Sequence, residues 1–214
     1  MNFLQYDSAF MTALRKTIDY FLLGFLWVLA SIGLITFGAA TTAMFYTAEK
    51  AIRKEEGKLF GTFWRCFARE FKQATVLGLI YLPLSIILAF NVFILWGMDL
   101  SAVTFTLILV ASLVMFSWMT LWFGYLSFFK DSVLVVLSNT FRMVFIYIPW
   151  VVLLLVVNIA ALAGTALAFV YMPPVLVLVP GLYVVTASGL CRRIFNDYLP
   201  KDVFPQENDV EVEA

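Results

Sequence analysis

Few residues in this chain have the chemistry for catalysis. Histidine is absent, and there are two cysteines, Cys66 and Cys191. Imidazole acid–base catalysis, His/Cys zinc sites and histidine-ligated haem are therefore excluded. Two cysteines do not make a disulfide framework. Each stands beside an arginine, in a segment assigned below to the reducing side, and is read as a free thiol. No Walker-type phosphate loop occurs, and an HExxH zinc motif is impossible without histidine. The polar groups inside the long apolar runs are uncharged. Thr41, Thr42, Asn91 and Asn158, with Ser85, Ser112, Ser117 and Thr120, are embedded in long apolar runs. In hydrocarbon such a group bonds a neighbouring helix, worth roughly 0.5–2 kcal/mol, or faces a solute in a cavity. No Asp, Glu, Lys or Arg interrupts those runs. Intramembrane ionisable residues mark proton and ion paths, so their absence argues against a proton-driven carrier. It also argues against an enzyme, and no cofactor or metal is expected.

The elements that must position these groups follow from composition. The 214 residues are 63% hydrophobic and 13% charged, against about half apolar and a quarter charged for soluble domains. A water-soluble fold of this size cannot bury that much apolar side chain. The predicted class is therefore an all-α, polytopic transmembrane helix bundle. Net charge is zero, and nucleic acid is not an expected partner. Five windows hold the roughly 20 apolar residues that a crossing helix needs: about Tyr20–Met44, Ala74–Trp96, Ser101–Phe123 (extending toward Phe129), Met143–Leu162 and Leu167–Leu190. Pro83, Pro149 and Pro180 should kink the second, fourth and fifth, while Pro173 and Pro174 suit a helix start. Residues 1–19 set Phe3, Phe10, Met11, Leu14 and Ile18 against Asp7, Ser8, Thr12, Arg15 and Lys16, the pattern of an interfacial amphipathic helix. Residues 20–199 then form a five-span domain with a basic loop at 47–73. The acidic stretch 200–214 reads as a disordered tail.

Lys and Arg alternate with the crossings. The loop 47–73 and the C-terminal segment are basic, whereas the second–third and fourth–fifth links carry no cation. The positive-inside rule puts the basic loop and the C-terminus in the cytoplasm and the N-terminus outside. Arg15 and Lys16 disagree, and a re-entrant first segment would instead put the N-terminus inside.

Two patterns cross the first loop. Ala39, Ala43, Thr47 and Ala51 lie four apart and form a small-residue groove for close helix packing. The hydroxyls of Thr41 and Thr42 bond back to the helix, bond across it, or line a path. In "KLFGTFWRCFAREFKQ", Phe60, Phe63, Trp64, Phe67 and Phe71 fall within one arc, with Arg65, Arg69 and Lys72 opposite. That arc suits an anionic headgroup layer, a cytoplasmic partner or a gate. Gly57 is expected to end the preceding helix in the left-handed conformation.

"FLWVLASIGLITFGAATTAMFYTAEKAIRKEEG" followed by "FGTFWRCFAREFKQA" resembles the YesL-like family, a bacterial membrane family of unknown function. The resemblance rests on Trp27, Thr36, Gly38 to Ala43, Phe60, Phe63, Phe67 and Phe71 to Ala74. Gly33 stands near a position where that family often has proline. The resemblance implies a small multi-pass protein of the bacterial inner membrane, linked to carbohydrate uptake and breakdown, with no established activity. Two functions follow as expectations. One is an accessory or regulatory subunit that binds a membrane partner, such as a sugar transporter subunit. The other is a self-contained homo-oligomeric carrier for a sugar-like solute.

Overall fold

The computed structural model describes residues 9–97, 101–196 and 198. Phe3, Asp7 and Ser8, the side chains of Phe10 and Thr12, Asp99 and the tail 200–214 lie outside the described residues. Within them the chain is all-α: α1 Ala9–Ser31, α2 Phe37–Thr47, α3 Leu59–Trp96, α4 Ala102–Phe128, α5 Val133–Ile146, α6 Ile148–Tyr171 and α7 Leu178–Phe195. Four stretches are long and apolar enough to cross a membrane: Leu59–Ile94, Ala102–Phe128, Ile148–Tyr171 and Val175–Phe195. The protein is a polytopic membrane bundle.

The expected first span, Tyr20–Met44, is not one helix. α1 stops at Ser31, a single 3-10 turn covers Leu34–Thr36, and α2 runs back. Phe37 stacks on Tyr81 with ring centroids 5.5 Å apart. Tyr81 lies nine residues beyond Lys72, the last charge on α3, or about 14 Å along the helix. That is about half of a ~30 Å hydrocarbon core. The start of α1 (Met11, Arg15, Asp19) shares a groove with Ala51, Ile52 and Glu55. The first segment is therefore re-entrant, and its beginning lies at the same end of the bundle as the basic stretch, not at the opposite end. The cause is local. The Thr36 hydroxyl donates to the Ala30 and Gly33 carbonyls at 2.5 and 2.6 Å, holding acceptors that the break takes out of the helix. Gly33 has φ −80° and ψ 110°, extended backbone that any residue adopts.

This reversal removes the conflict among the cations. Arg15 and Lys16 now join the starts of α3 and α6 and the ends of α4 and α7, so every described Lys and Arg sits at one end.

Glycine makes two close seams. A Cβ on Gly38 would run into the Ala74 carbonyl, and one on Gly78 would meet Gly38, so α2 and α3 touch backbone to backbone. Gly24 and Gly181 do the same for α1 and α7, against the Val177 and Tyr20 carbonyls. In lipid such packing, rather than a hydrophobic drive, holds helices together. Ala39, Ala43 and Thr47 are fully buried beside the first seam, and Ala51 is half-buried.

Other boundaries move. Residues 59–73 are not a loop element but the start of the 38-residue α3, which Pro83 does not break. Between Thr47 and α3 the helix widens to a π-helical stretch, Ala48–Arg53. Glu55, at φ 56°, takes the left-handed position after it, where Gly57 was expected, although Gly57 is also left-handed at φ 82°. The link after α4 folds into α5, too short to cross; it buries Val136, Thr140 and Met143 and exposes Leu134, Phe141 and Phe145. Pro149 is the second residue of α6 and Pro180 the third of α7, so both open helices instead of kinking them. α6 continues to Tyr171, through residues expected to form a link.

Candidate functional site

α2, α4, α6 and α7, with Trp27 of α1 and Tyr81 of α3, line a half-open cavity of about 210 Å³ at the depth of the re-entrant turn. Its polar side is built on Asn158 of α6, which is 2% exposed. The Asn158 amide donates to Ser117 Oγ at 3.1 Å, and its carbonyl accepts from the Tyr183 hydroxyl at 2.7 Å. Thr120 Oγ1 stands 3.4 Å from the same tyrosine oxygen. Across the cavity, Trp27 Nε1 donates to Thr41 Oγ1 at 3.1 Å. The remaining wall is aromatic, with Phe37, Tyr81, Phe116 and Phe123. No lining residue carries a charge.

The structure brings Asn158 and Thr41 to this cavity and separates the other two amide and hydroxyl candidates from it. Thr42 is fully buried with no hydrogen-bond partner for its hydroxyl among the described residues. Asn91, expected to bond a neighbouring helix, lies on the exposed face of α3 beside Phe90 and Phe93, with no such bond among the described residues. Burial depends on which way α3 is rotated, and its inner face is set by Ala74, Leu77 and Gly78. Tyr183 was not anticipated, although a tyrosine in the middle of an apolar span, far from either interface, is a legible sign of a polar partner. Trp118 and Trp122 belong to the core. Trp122 is fully buried, and Trp118 Nε1 donates to Thr140 Oγ1 at 3.1 Å.

The basic end holds a second constellation. The five-aromatic arc is split by packing. Phe63 is fully buried against the bundle with Cys66 and Glu70, whereas Phe60, Trp64 and Phe71 are exposed and Phe67 is half-buried. Phe60, Trp64, Phe67 and Phe71 form a continuous edge-on row with centroids 5.3–6.2 Å apart. Arg65 and Lys72 are exposed nearby. Arg69 instead turns inward, bonding Glu70 at 2.7 Å and lying 5.0 Å over the Tyr46 ring.

Glu49, on the π-helical stretch, was missed altogether. It is completely buried, accepts from Arg192 Nη1 at 2.7 Å and has Arg53 Nε 2.9 Å away. Arg53 also donates to the Val185 carbonyl at 2.7 Å, and its guanidinium lies against Gly189, where a Cβ would intrude. Burial pushes the Glu49 carboxyl above the ordinary glutamate value, and the two arginines pull it part of the way back. This cluster clamps the end of the re-entrant segment to α7. Both cysteines are free and buried. No three His, Cys, Asp or Glu side chains gather to hold a metal among the described residues.

No curated protein and no solved structure matches the chain. A family model described as "Protein of unknown function, DUF624" matches residues 20–92, the stretch that carries the re-entrant pair and most of α3.

Proposed function

We propose that this chain is a YesL-like protein of the bacterial inner membrane. It serves carbohydrate uptake and utilisation as an accessory subunit, binding a partner rather than catalysing a reaction. The basic end faces the cytoplasm, as the positive-inside rule requires. The single supporting observation is the exposed aromatic row at the start of α3. Phe60 precedes Lys72 by twelve residues, about 18 Å of helix. The headgroup layer adds only about 5–8 Å per face. Even a 40° tilt, the upper end for membrane helices, leaves Phe60 about 14 Å out. Phe71 and Lys72 therefore meet anionic headgroups, while Phe60 and Trp64 stand beyond them, rings in water. Exposed aromatics rimmed by Lys58 and Arg65 suit an apolar patch with acidic edges on another membrane protein, such as a sugar transporter subunit.

A photo-crosslinking residue in place of Trp64, activated in native membranes, tests this. The expected adduct is a different membrane protein, and Phe60→Asp with Trp64→Asp should abolish both that adduct and carbohydrate-dependent growth. Adducts to lipid alone, or to a second copy alone, would sink the accessory reading. The cavity favours a second reading, a self-contained carrier, because two interrupted helical segments border it, as in carriers with broken helices.

A further inference from the structure

We infer that the intramembrane cavity is a binding site for a small, uncharged, hydroxyl-rich compound with one apolar face. The inference comes from counting protons. The Thr41, Thr120 and Thr165 hydroxyls donate to the Phe37, Phe116 and Ala161 carbonyls at 2.8, 3.1 and 2.7 Å. Tyr183 spends its proton on Asn158, and Ser117 donates to Leu113. A hydroxyl has one proton and two lone pairs. The threonine and Tyr183 oxygens consequently offer the cavity only lone pairs; the spare donors are the second amide hydrogen of Asn158 and the hydroxyl of Tyr81, for which no acceptor is found among the described residues. A ligand must therefore bring donors to meet those lone pairs and acceptors for the two spare hydrogens, as hydroxyl groups do.

Cations also donate, but no carboxylate lines the cavity. Burying an unpaired ion costs several kcal/mol. Hydroxyl groups donate without that penalty. The opposite wall supplies ring faces, Phe37 stacked on Tyr81 and Phe123 edge-on to both, suited to the C–H side of a polyol ring. The cavity, about 210 Å³ and open on one side, has room for a small ring.

The test uses the full-length protein in lipid nanodiscs, with myo-inositol as the probe and choline and indole as comparisons. Calorimetric titration is the readout, because Trp27 is one of six tryptophans and indole itself fluoresces like tryptophan. Saturable inositol binding is expected. Thr120→Val, which removes one acceptor, should weaken it roughly fivefold. Ala161→Phe, which fills the space, should abolish it while the unfolding temperature stays close to that of the unaltered protein. Saturation by choline or indole but not by inositol would overturn the inference, showing a cation cage or a dry void. So would absence of inositol binding at ~100 mM, or inositol binding that survives Ala161→Phe.

Discussion

Replacing Arg192 with methionine removes the guanidinium that donates to Glu49 at 2.7 Å and leaves behind a carboxylate with no exposed surface. Arg53 remains 2.9 Å away, but its nearer nitrogen is not aimed at the oxygen it faces. A stranded buried charge typically costs 3–5 kcal/mol. Here the carboxyl can escape by taking a proton, and that sets a ceiling. Protonation at pH 7 of a group whose ordinary value is 4.5 costs about 1.4 kcal/mol per pH unit, or roughly 3.4 kcal/mol in all. At pH 5 the same ceiling is about 0.7 kcal/mol. The sign follows from the raised value of Glu49. A carboxyl raised in the folded state has its full stability below the unfolded value and loses it as pH climbs through the folded value. Arg192→Met should therefore unfold clearly below the unaltered protein at pH 7, by at most about 7–14 °C, and within about 3 °C of it at pH 5. Thermal unfolding in one detergent, followed by circular dichroism at both pH values, measures the gap. Glu49→Gln should cost less at pH 7, because both arginines are partly exposed, with side chains 44% and 35% accessible, and can be hydrated. The pair Glu49→Gln/Arg192→Met should lose the pH-dependent gap. An Arg192→Met gap of the same size at pH 5 and pH 7 would refute the reasoning.

Two further predictions concern topology and the polar core. Arg15→Cys and Lys58→Cys should react with a membrane-impermeant maleimide from one face and Gly97→Cys from the other, against a quiet background because Cys66 and Cys191 are buried; labelling of positions 15 and 58 from opposite faces would remove the re-entrant turn. Asn158→Leu leaves Ser117 and Tyr183 without their shared partner and should cost about 1–3 kcal/mol in unfolding measurements, whereas Asn91→Leu, on the exposed face, should stay within about 0.5 kcal/mol; the reverse order would place Asn91 in a contact.

Much of the architecture is legible in the sequence for a simple reason. Hydrocarbon forces every backbone group into helix, and length and apolarity then mark the spans. α4, Ala102–Phe128, matches the expected window Ser101–Phe123 at its start and its extension toward Phe129 at its end; Ser101 caps it, accepting from the Thr104 N–H at 3.2 Å. The lack of charge inside the spans, and the cations that flank them, were equally readable. Periodicity said less about which face turns inward. The aromatic arc of α3 is a real stripe, yet only its edge at Phe63 packs into the bundle, in line with the buried Cys66, Glu70, Ala74 and Leu77. Phe63 is buried and Phe60 is not as a consequence.

What the amino-acid sequence alone determined is the solvent of this chain, its helical class, its uncharged interior and the polarity of its ends. Each follows from side-chain transfer energies and local backbone needs, which act on a residue wherever it sits. Only the tertiary structure decided that the first apolar run turns back, that Glu49 is enclosed by Arg53 and Arg192, and that Asn158, Tyr183 and Trp27 border one cavity. Those results depend on where close contacts form between residues as near as 14 and as far as 143 positions apart. The hydrophobic pattern of a lipid-embedded helix does not encode that choice, because lipid and a neighbouring helix are nearly equivalent partners for an apolar side chain.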